Sequence, residues 1–375
     1  MIKTPALFAA SLFSLLSILA GEATPPAKPP LKIIPGQVIV PTDKMRRIWG
    51  ELISVDLATR SGTFRKEGSD EVMKFNVMPY AELLHHAANG DLQDFKSGER
   101  AIFRMHENEA GEWVYLTYIQ DQMNMMNGHR EYFYVDRIDA AKGELECTQA
   151  RIDWDPKLAV SPVWNSTAKY KAGDYVIHEG STWQANAAID VPGTAPSAKA
   201  KLWTEHGYMR EKGILLETDA NTRYWKNGEP ATFADIKVGD KLRTKTHGLG
   251  KGKVQMCWEV FLDDASVLKF QNEQKAVHAK RMKEEGLPGY VDKLEDTRLS
   301  LTLFQEGNEV SRTLKAGQKV TVAPAGVNRK AESPTVQATV AEAKMAGNLC
   351  KLTLTLDAPS PDFKVTELAR VFVTQ

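Results

Sequence analysis

The sequence predicts a mainly β protein: tandem small β-barrel or sandwich units, with a small three-stranded β module inserted in the middle one. Three observations predict it. Short runs rich in β-branched and aromatic residues recur, separated by Gly, Asn or charged breaks. A Lys-x-Gly turn repeats along the chain. The interval between the copies is uneven by the length of a minimal folded unit.

The N-terminus comes first. Lys3 supplies a positive start, Ala6 to Ala20 is an unbroken run of apolar or small residues, and Gly21-Glu22-Ala23 offers small residues where a signal peptidase cuts. Residues 1–23 therefore read as a signal peptide cleaved near Ala23, which makes the protein secreted or periplasmic. The apolar run is too short to cross a bilayer comfortably, and no later segment approaches the length of a transmembrane segment. Residues 24–43 carry Pro25, Pro26, Pro29, Pro30, Pro35 and Pro41, an extended linker.

The first β unit covers 44–126. Ile48 to Val55, Gly62 to Lys66, Lys74 to Met78, Arg100 to Met105 and Trp113 to Ile119 read as its strands. Tyr80 to Ala88 reads as a short amphipathic helix, on which the adjacent His85 and His86 diverge as surface residues. Asn127-Gly128, flanked by Met123, Met125, Met126 and His129, reads as a hairpin with methionine core filler. The second unit is split, 127–159 plus 207–268. Residues 269–288 form a helical connector: Phe270 to Glu285 is rich in Lys, Glu, Gln and Ala and has little apolar stripe, as a solvated helix would. The third unit is 289–375.

The repeat sets these boundaries. Asp94-Phe95-Lys96-Ser97-Gly98-Glu99-Arg100 matches Asp235-Ile236-Lys237-Val238-Gly239-Asp240-Lys241, and Thr313-Leu314-Lys315-Ala316-Gly317-Gln318-Lys319 is a fainter copy. Gly allows the tight backbone, and the polar residue after it is expected to face water as a strand begins. Val135-Asp136-Arg137-Ile138-Asp139 likewise resembles Val291-Asp292-Lys293-Leu294-Glu295. Lys96 and Lys237 lie 141 residues apart, but Lys237 and Lys315 only 78. Removing residues 160–206 brings the first interval close to the second, so the insertion sits there, at a surface hairpin tip.

That insertion holds Trp164, an Ala168-Lys169-Tyr170 triplet, a Gly173-Asp174-Tyr175-Val176 turn, a Gly180-Ser181-Thr182-Trp183 hairpin and a closing Trp203. In this order the features resemble the chitin-binding type 3 module, carbohydrate-binding module families 5 and 12. The resemblance implies a small three-stranded fold that binds a polysaccharide or cell-envelope glycan. So small a unit depends on its large rings for core, which assigns Trp164, Tyr170 and Trp203 to packing and Gly173 and Gly180 to turns. In that family the sugar platform sits in the loop before the closing Trp, yet here Val191 to Ser197 holds no aromatic. Ligand contact then falls to Tyr175, His178 and Trp183, with Asp190 and Glu179 as hydroxyl acceptors.

Composition closes off other classes. Lys plus Arg equals Asp plus Glu at 48 each, so no global field draws nucleic acid. Cys147, Cys257 and Cys350 are widely spaced and outside any CxxC pair; export permits Cys147 with Cys257, but buried free thiols are the preferred reading. No catalytic constellation, metal set or cofactor motif stands out, and no two carboxylates pair as a glycosidase requires. The expectation is a secreted non-catalytic polysaccharide-binding protein. The alternatives are an envelope adaptor whose module is only a spacer, or an accessory or divergent member of a glycoside-hydrolase system.

Overall fold

The computed structural model describes residues 45–373 except 109, 153–160, 179–180, 192, 198–200, 207, 247–252 and 361. The expected signal peptide and proline-rich linker, residues 1–43, lie outside the described residues, as do Glu179 and Gly180.

Six strands build the first unit: β1 (Arg46–Asp56), β2 (Ser61–Lys66), β3 (Val72–His85), β4 (Ala88–Asn89), β5 (Arg100–Glu107) and β6 (Trp113–Asp121). They close as β1–β2–β3–β6–β5–β1, antiparallel except for the parallel β3–β6 pair. This is the connectivity of a five-stranded OB-type barrel. A short helix α1 (Gln122–Gly128) leads out of it. The second barrel uses β7 (Tyr132–Asp139), β8 (Glu144–Ile152), β12 (Tyr208–Glu217), β15 (Lys241–Thr246) and β16 (Val254–Phe261). It closes as β7–β8–β12–β16–β15–β7, again with one parallel pair, β12–β16. Between its second and third strands stand β9 (Tyr175–His178), β10 (Ser181–Ala185) and β11 (Trp203–His206), a separate three-stranded sheet. A hairpin of β13 (Arg223–Lys226) and β14 (Glu229–Ala231) follows β12.

The third barrel departs from this plan. Strands β17 (Leu287–Glu295), β18 (Arg298–Leu303), β19 (Lys319–Ala325), β20 (Val336–Ala346), β21 (Leu349–Leu356) and β22 (Leu368–Val373) close as β17–β18–β21–β20–β19–β22, antiparallel throughout. The molecule is thus mainly β with several small closed barrels.

The repeats have a physical basis. In the first barrel Gly98 N donates to Leu52 O and Leu52 N to Glu99 O; in the second, Gly239 N donates to Val135 O and Val135 N to Asp240 O. Each turn is stitched to its barrel's first strand. The copy at 313–319 forms the same turn, but Gly317 and Gln318 stitch to Val340 on β20. The positional equivalent in the third barrel is Phe363-Lys364-Val365-Thr366-Glu367, where Thr366 N donates to Val291 O and Val291 N to Glu367 O. Thr366 stands at the glycine position with φ 78°. The Val-Asp-Lys/Arg repeat marks a β-bulge, with register shifts at Val135/Arg137 and Val291/Lys293. The bulged Asp136 and Asp292 accept from Thr148 Oγ1 at 2.6 Å and Thr302 Oγ1 at 2.5 Å.

Each barrel has its own core. The first stacks Phe64 on Phe103, ring centroids 4.0 Å apart, with Phe75 tilted against both. The second buries Phe133, Leu145, Leu242 and Val260 around Cys147 and Cys257. All three cysteines are free and buried, and burial pushes the Cys147 and Cys257 thiols up to about 12. The third is aliphatic, built from Leu299, Leu301, Leu352, Leu354, Val320 and Val340.

Several expectations are corrected. Tyr80 to His85 continues β3 instead of forming a helix: Ala81, Leu83 and His85 are buried in strict alternation. Asn127-Gly128 ends a helix, not a hairpin, because Asp121 caps that helix by accepting from Asn124 N at 2.7 Å. The connector helix, α2 (Asp264–Glu284), begins earlier than expected, at Asp263, whose carboxylate accepts from Ser266 N. Nor is it solvated all round. It buries Gln274, His278 and Arg281, a polar face that hydropathy does not mark.

Candidate functional site

The module's inner face consists of Val176, Trp183, Ala185, Ile189 and Trp203, with Trp164 and Tyr170 packed against them. Tyr170 meets Trp203 edge-on at 5.4 Å, and its hydroxyl donates to Asn165 O. Trp203 Nε1 donates to Thr194 O at 3.3 Å, which ties the closing loop down over the core. Gly173, at φ 91°, makes the turn before β9 and donates its N–H to Ala185 O.

Register decides which rings can meet a ligand. Val176 lies opposite Trp183, and Tyr175 lies opposite Gln184, which lies opposite Thr204. Directly paired residues share a face and neighbours along a strand alternate. Trp183 therefore points inward with Val176 and is only 7% exposed. Its assignment as a ligand contact is corrected: the ring is core, and its indole N–H donates to His178 O. Tyr175, half-buried, stands on the opposite face in a row with Gln184 and the exposed Thr204, whose hydroxyl donates to Asn186 Oδ1 at 2.8 Å. His178 is half-buried with its ring edge-on to Trp164 at 4.7 Å. Asp190 is exposed beside the Tyr170–Ile189 bridge, with Lys169 Nζ at 4.0 Å. The row Tyr175–Gln184–Thr204 is thus one aromatic ring flanked by an amide and a hydroxyl on an outward sheet.

A second constellation went unread in the sequence. At the seam between the first two barrels, Lys245 of β15 is wholly buried among Glu99, Asp121 and Glu259. Its ammonium pairs with Glu99 Oε1, lies 3.6 Å from Asp121 Oδ2 and 3.8 Å from Glu259 Oε2, and sits 3.4 Å from His86 Nε2. His85 and His86 are not surface residues. His86 and Ala87 take positive φ at the end of β3, which folds both rings into the seam with centroids 3.9 Å apart. His85 Nδ1 donates to Gln274 Oε1 at 3.0 Å, and its Nε2 faces Glu99 Oε1 at 3.3 Å. With both nitrogens facing acceptors, the surroundings favour the charged form of the ring.

The electrostatics follow from these contacts. Burial would lower Lys245, but Glu99, Asp121 and Glu259 outweigh it and hold the ammonium charged. Burial would raise Glu99, but Lys245 and His85 keep its carboxyl well below the usual range. For His85 burial is likewise outweighed, by Glu99 and Asp121, and its pKa is raised. Burial, the Lys245 ammonium and the His85 ring together hold His86 down at about 2. His85, His86 and Asp121 bring ligand atoms within 4.8 Å of one another, a spacing that would suit a metal ion. The Lys245 ammonium already stands among them. A matched, buried cation of this kind suits a lock between barrels better than chemistry on an outside substrate.

The long helix α2 ties into the same barrel. Gln274 Nε2 donates to Asn89 O and Asp94 Oδ2, and Arg281 makes a two-pronged pair with Asp94 at 3.0 and 2.7 Å. Such pairs are invisible to a hydropathy reading, since each partner alone looks like a surface residue.

No family model matches this sequence, and no curated protein matches it. Among solved structures, a tryptophan-to-alanine variant of CusF with Cu(II), from Escherichia coli, aligns with 22% of this chain and 99% of that one at 14% identity, with a TM-score of 0.18. So slight a likeness carries no argument. No helix among the described residues is long and apolar enough to cross a membrane.

Proposed function

We propose that this is an exported, non-catalytic glycan-binding protein in which the barrels carry the inserted module and the module makes the contact. The observation that carries the reading is the outward row Tyr175–Gln184–Thr204, set opposite the Val176–Trp183 core face. A pyranose stacks its apolar face on one ring while amide and hydroxyl groups fix its hydroxyls, and this row offers both kinds of group. A single ring contributes modestly, so binding is weak per site and gains from glycans that present many sites.

The test is retention of the full chain on insoluble chitin, cellulose and peptidoglycan. Wild type is expected to be retained weakly on at least one of them. Tyr175→Ala should lose retention with its melting temperature unchanged, because the ring lies outside the core. Trp203→Ala should instead unfold the module, since truncating a buried Trp costs about 3–5 kcal/mol. One observation favours a second reading, that of an envelope adaptor with the module as spacer: the closing loop is tied inward through Thr194 and brings no ring to the surface. Absence of wild-type retention on all three solids selects that reading.

A further inference from the structure

We propose that α2 is a coupling strap: through its buried stripe of Gln274, His278 and Arg281, the docking of the second barrel on the first is energetically linked to the docking of the third. The three residues stand at i, i+4 and i+7, so they share one face of the helix, and all are buried. The inward face of a helix is ordinarily apolar. A polar one must find a partner for each group it carries.

The partners come from different barrels. Gln274 Nε2 donates to Asp94 Oδ2 at 2.9 Å and to Asn89 O at 3.2 Å, both in the first barrel. Two acceptors on that side fix the amide, so its Oε1 faces His85 and accepts from Nδ1 at 3.0 Å. The other nitrogen of His85 faces Glu99, which holds Lys245 of the second barrel. One helical turn along, His278 Nε2 donates to Glu306 O of the third barrel at 2.8 Å, and the Glu306 carboxylate pairs with the buried Arg329. Arg281 forks onto Asp94. Nearby, Asp91 takes Arg60 at 2.7 Å and lies within electrostatic reach of Arg329. Lys245, Glu99, His85, Gln274 and Asp94 are thus consecutive links, and the helix that carries the fourth also holds Glu306.

Coupling follows from the cost of leaving buried polar groups unpaired. When the second barrel loosens, Glu99 loses Lys245, and the His85 ring loses the carboxylate geometry that aims it at Gln274. The freed Gln274 Oε1 can then reach water only if α2 moves outward, and that movement draws His278 away from Glu306. The converse sequence starts at Glu306 and ends at Lys245. The two-state element is the docked strap, biased from both ends. The first and third barrels also meet through Tyr80, Tyr290, Phe304 and Leu368. That apolar contact stays whole when Gln274 is changed, so any coupling it carries persists there. The second barrel bears the module between β8 and β12, so the strap gives a change at that barrel a route to the third.

Native-state hydrogen exchange of the full chain tests this, read by mass spectrometry at Lys241–Thr246 on β15 and at residues 305–311 of the third barrel. Glu99→Gln should speed exchange at β15 and also, about 5-fold or more, at 305–311. Glu306→Gln should do the reverse, since coupling between two equilibria is reciprocal. Gln274→Met keeps the side chain's length but removes the amide. In that background each substitution should speed exchange at its own end alone. Where Glu99→Gln does not fold, Glu259→Gln loosens the same seam from the side of the second barrel. A remote effect that is missing, that runs in one direction only, or that survives Gln274→Met would overturn the proposal.

Discussion

Phe95 to Arg100 and Ile236 to Lys241 are the same turn put to different ends. In both, Gly takes a positive φ, 87° at Gly98 and 92° at Gly239. In both, the next carboxylate reaches back to the lysine N–H, Glu99 Oε2 to Lys96 N at 3.1 Å and Asp240 Oδ2 to Lys237 N at 2.8 Å. The second barrel's Asp240 remains half-buried and caps its own turn. Glu99 is one methylene longer and only 1% exposed, and its other oxygen holds Lys245 of the neighbouring barrel. The expectation that this residue faces water therefore fails at Glu99. A local motif fixes a turn; whether its polar group meets water depends on what docks against it.

The largest effect that could break this comparison is loss of the lysine. Lys245→Ala leaves Glu99, Asp121 and Glu259 buried without their shared cation, and breaking a buried pair from one side costs about 3–5 kcal/mol. Asp240→Ala removes one exposed capping bond, worth about 1 kcal/mol. Urea denaturation of the two variants should separate them clearly, and adding Glu99→Gln to Lys245→Ala should recover part of the loss. Equal costs would mean that the seam is not locked by charge.

Next comes pH. Unfolded, His86 titrates near its ordinary value of about 6.5. Folded, it is held at about 2, so as pH falls below that ordinary value the unfolded chain takes up a proton that the folded chain refuses, and stability drops. His85 acts in the opposite sense. Its raised pKa gives stability that is full below about 6.5 and is lost as pH rises through its folded value. Glu99, held low, gives stability that is present above the unfolded carboxylate range and lost below about 4.3. The His86 displacement should dominate between neutrality and pH 5, so melting temperature falls across that window. His86→Asn, which tolerates the left-handed backbone, should flatten that fall; an unchanged slope would assign it elsewhere.

What the sequence made legible were the features with local chemistry. Strands and Lys-x-Gly turns follow from residues within a few positions of one another, whereas the bulges at Asp136 and Asp292 show only once the strands are paired. The Tyr80–Ala88 helix was misread because Tyr80, Leu83 and Leu84 fit a helical period as well as a strand. The seam was missed for a different reason. Lys245 lies on the outer face of β15, which alternation assigns to solvent, and only the docking of the first barrel buries it. Gln274 and Arg281 on α2 escaped in the same way. The module's Trp183 is core and not contact because its face is set across the ladder by Val176 on the facing strand, a pairing that no local pattern reveals.

The smallest effect tests the repeat itself. Thr366 was passed over as a copy because it carries no glycine, yet its backbone, at φ 78°, does what Gly98 and Gly239 do. A left-handed conformation costs an L residue roughly 1–2 kcal/mol, with β-branching adding crowding. Glycine relieves that strain and gives back about 0.5–1 kcal/mol in unfolded-state entropy. Because the Thr366 side chain is exposed, little else changes, and Thr366→Gly should stabilise the third barrel by up to ~1 kcal/mol. The reverse exchange is equally clean. A Cβ at Gly239 would meet nothing within 4 Å, so Gly239→Thr should lose about 1–2 kcal/mol through backbone strain alone. Thermal denaturation of both variants reads the two signs together. If Thr366→Gly destabilises, the threonine is making a contact that outweighs its strain, and the third turn is held by side-chain chemistry that the other two do not share.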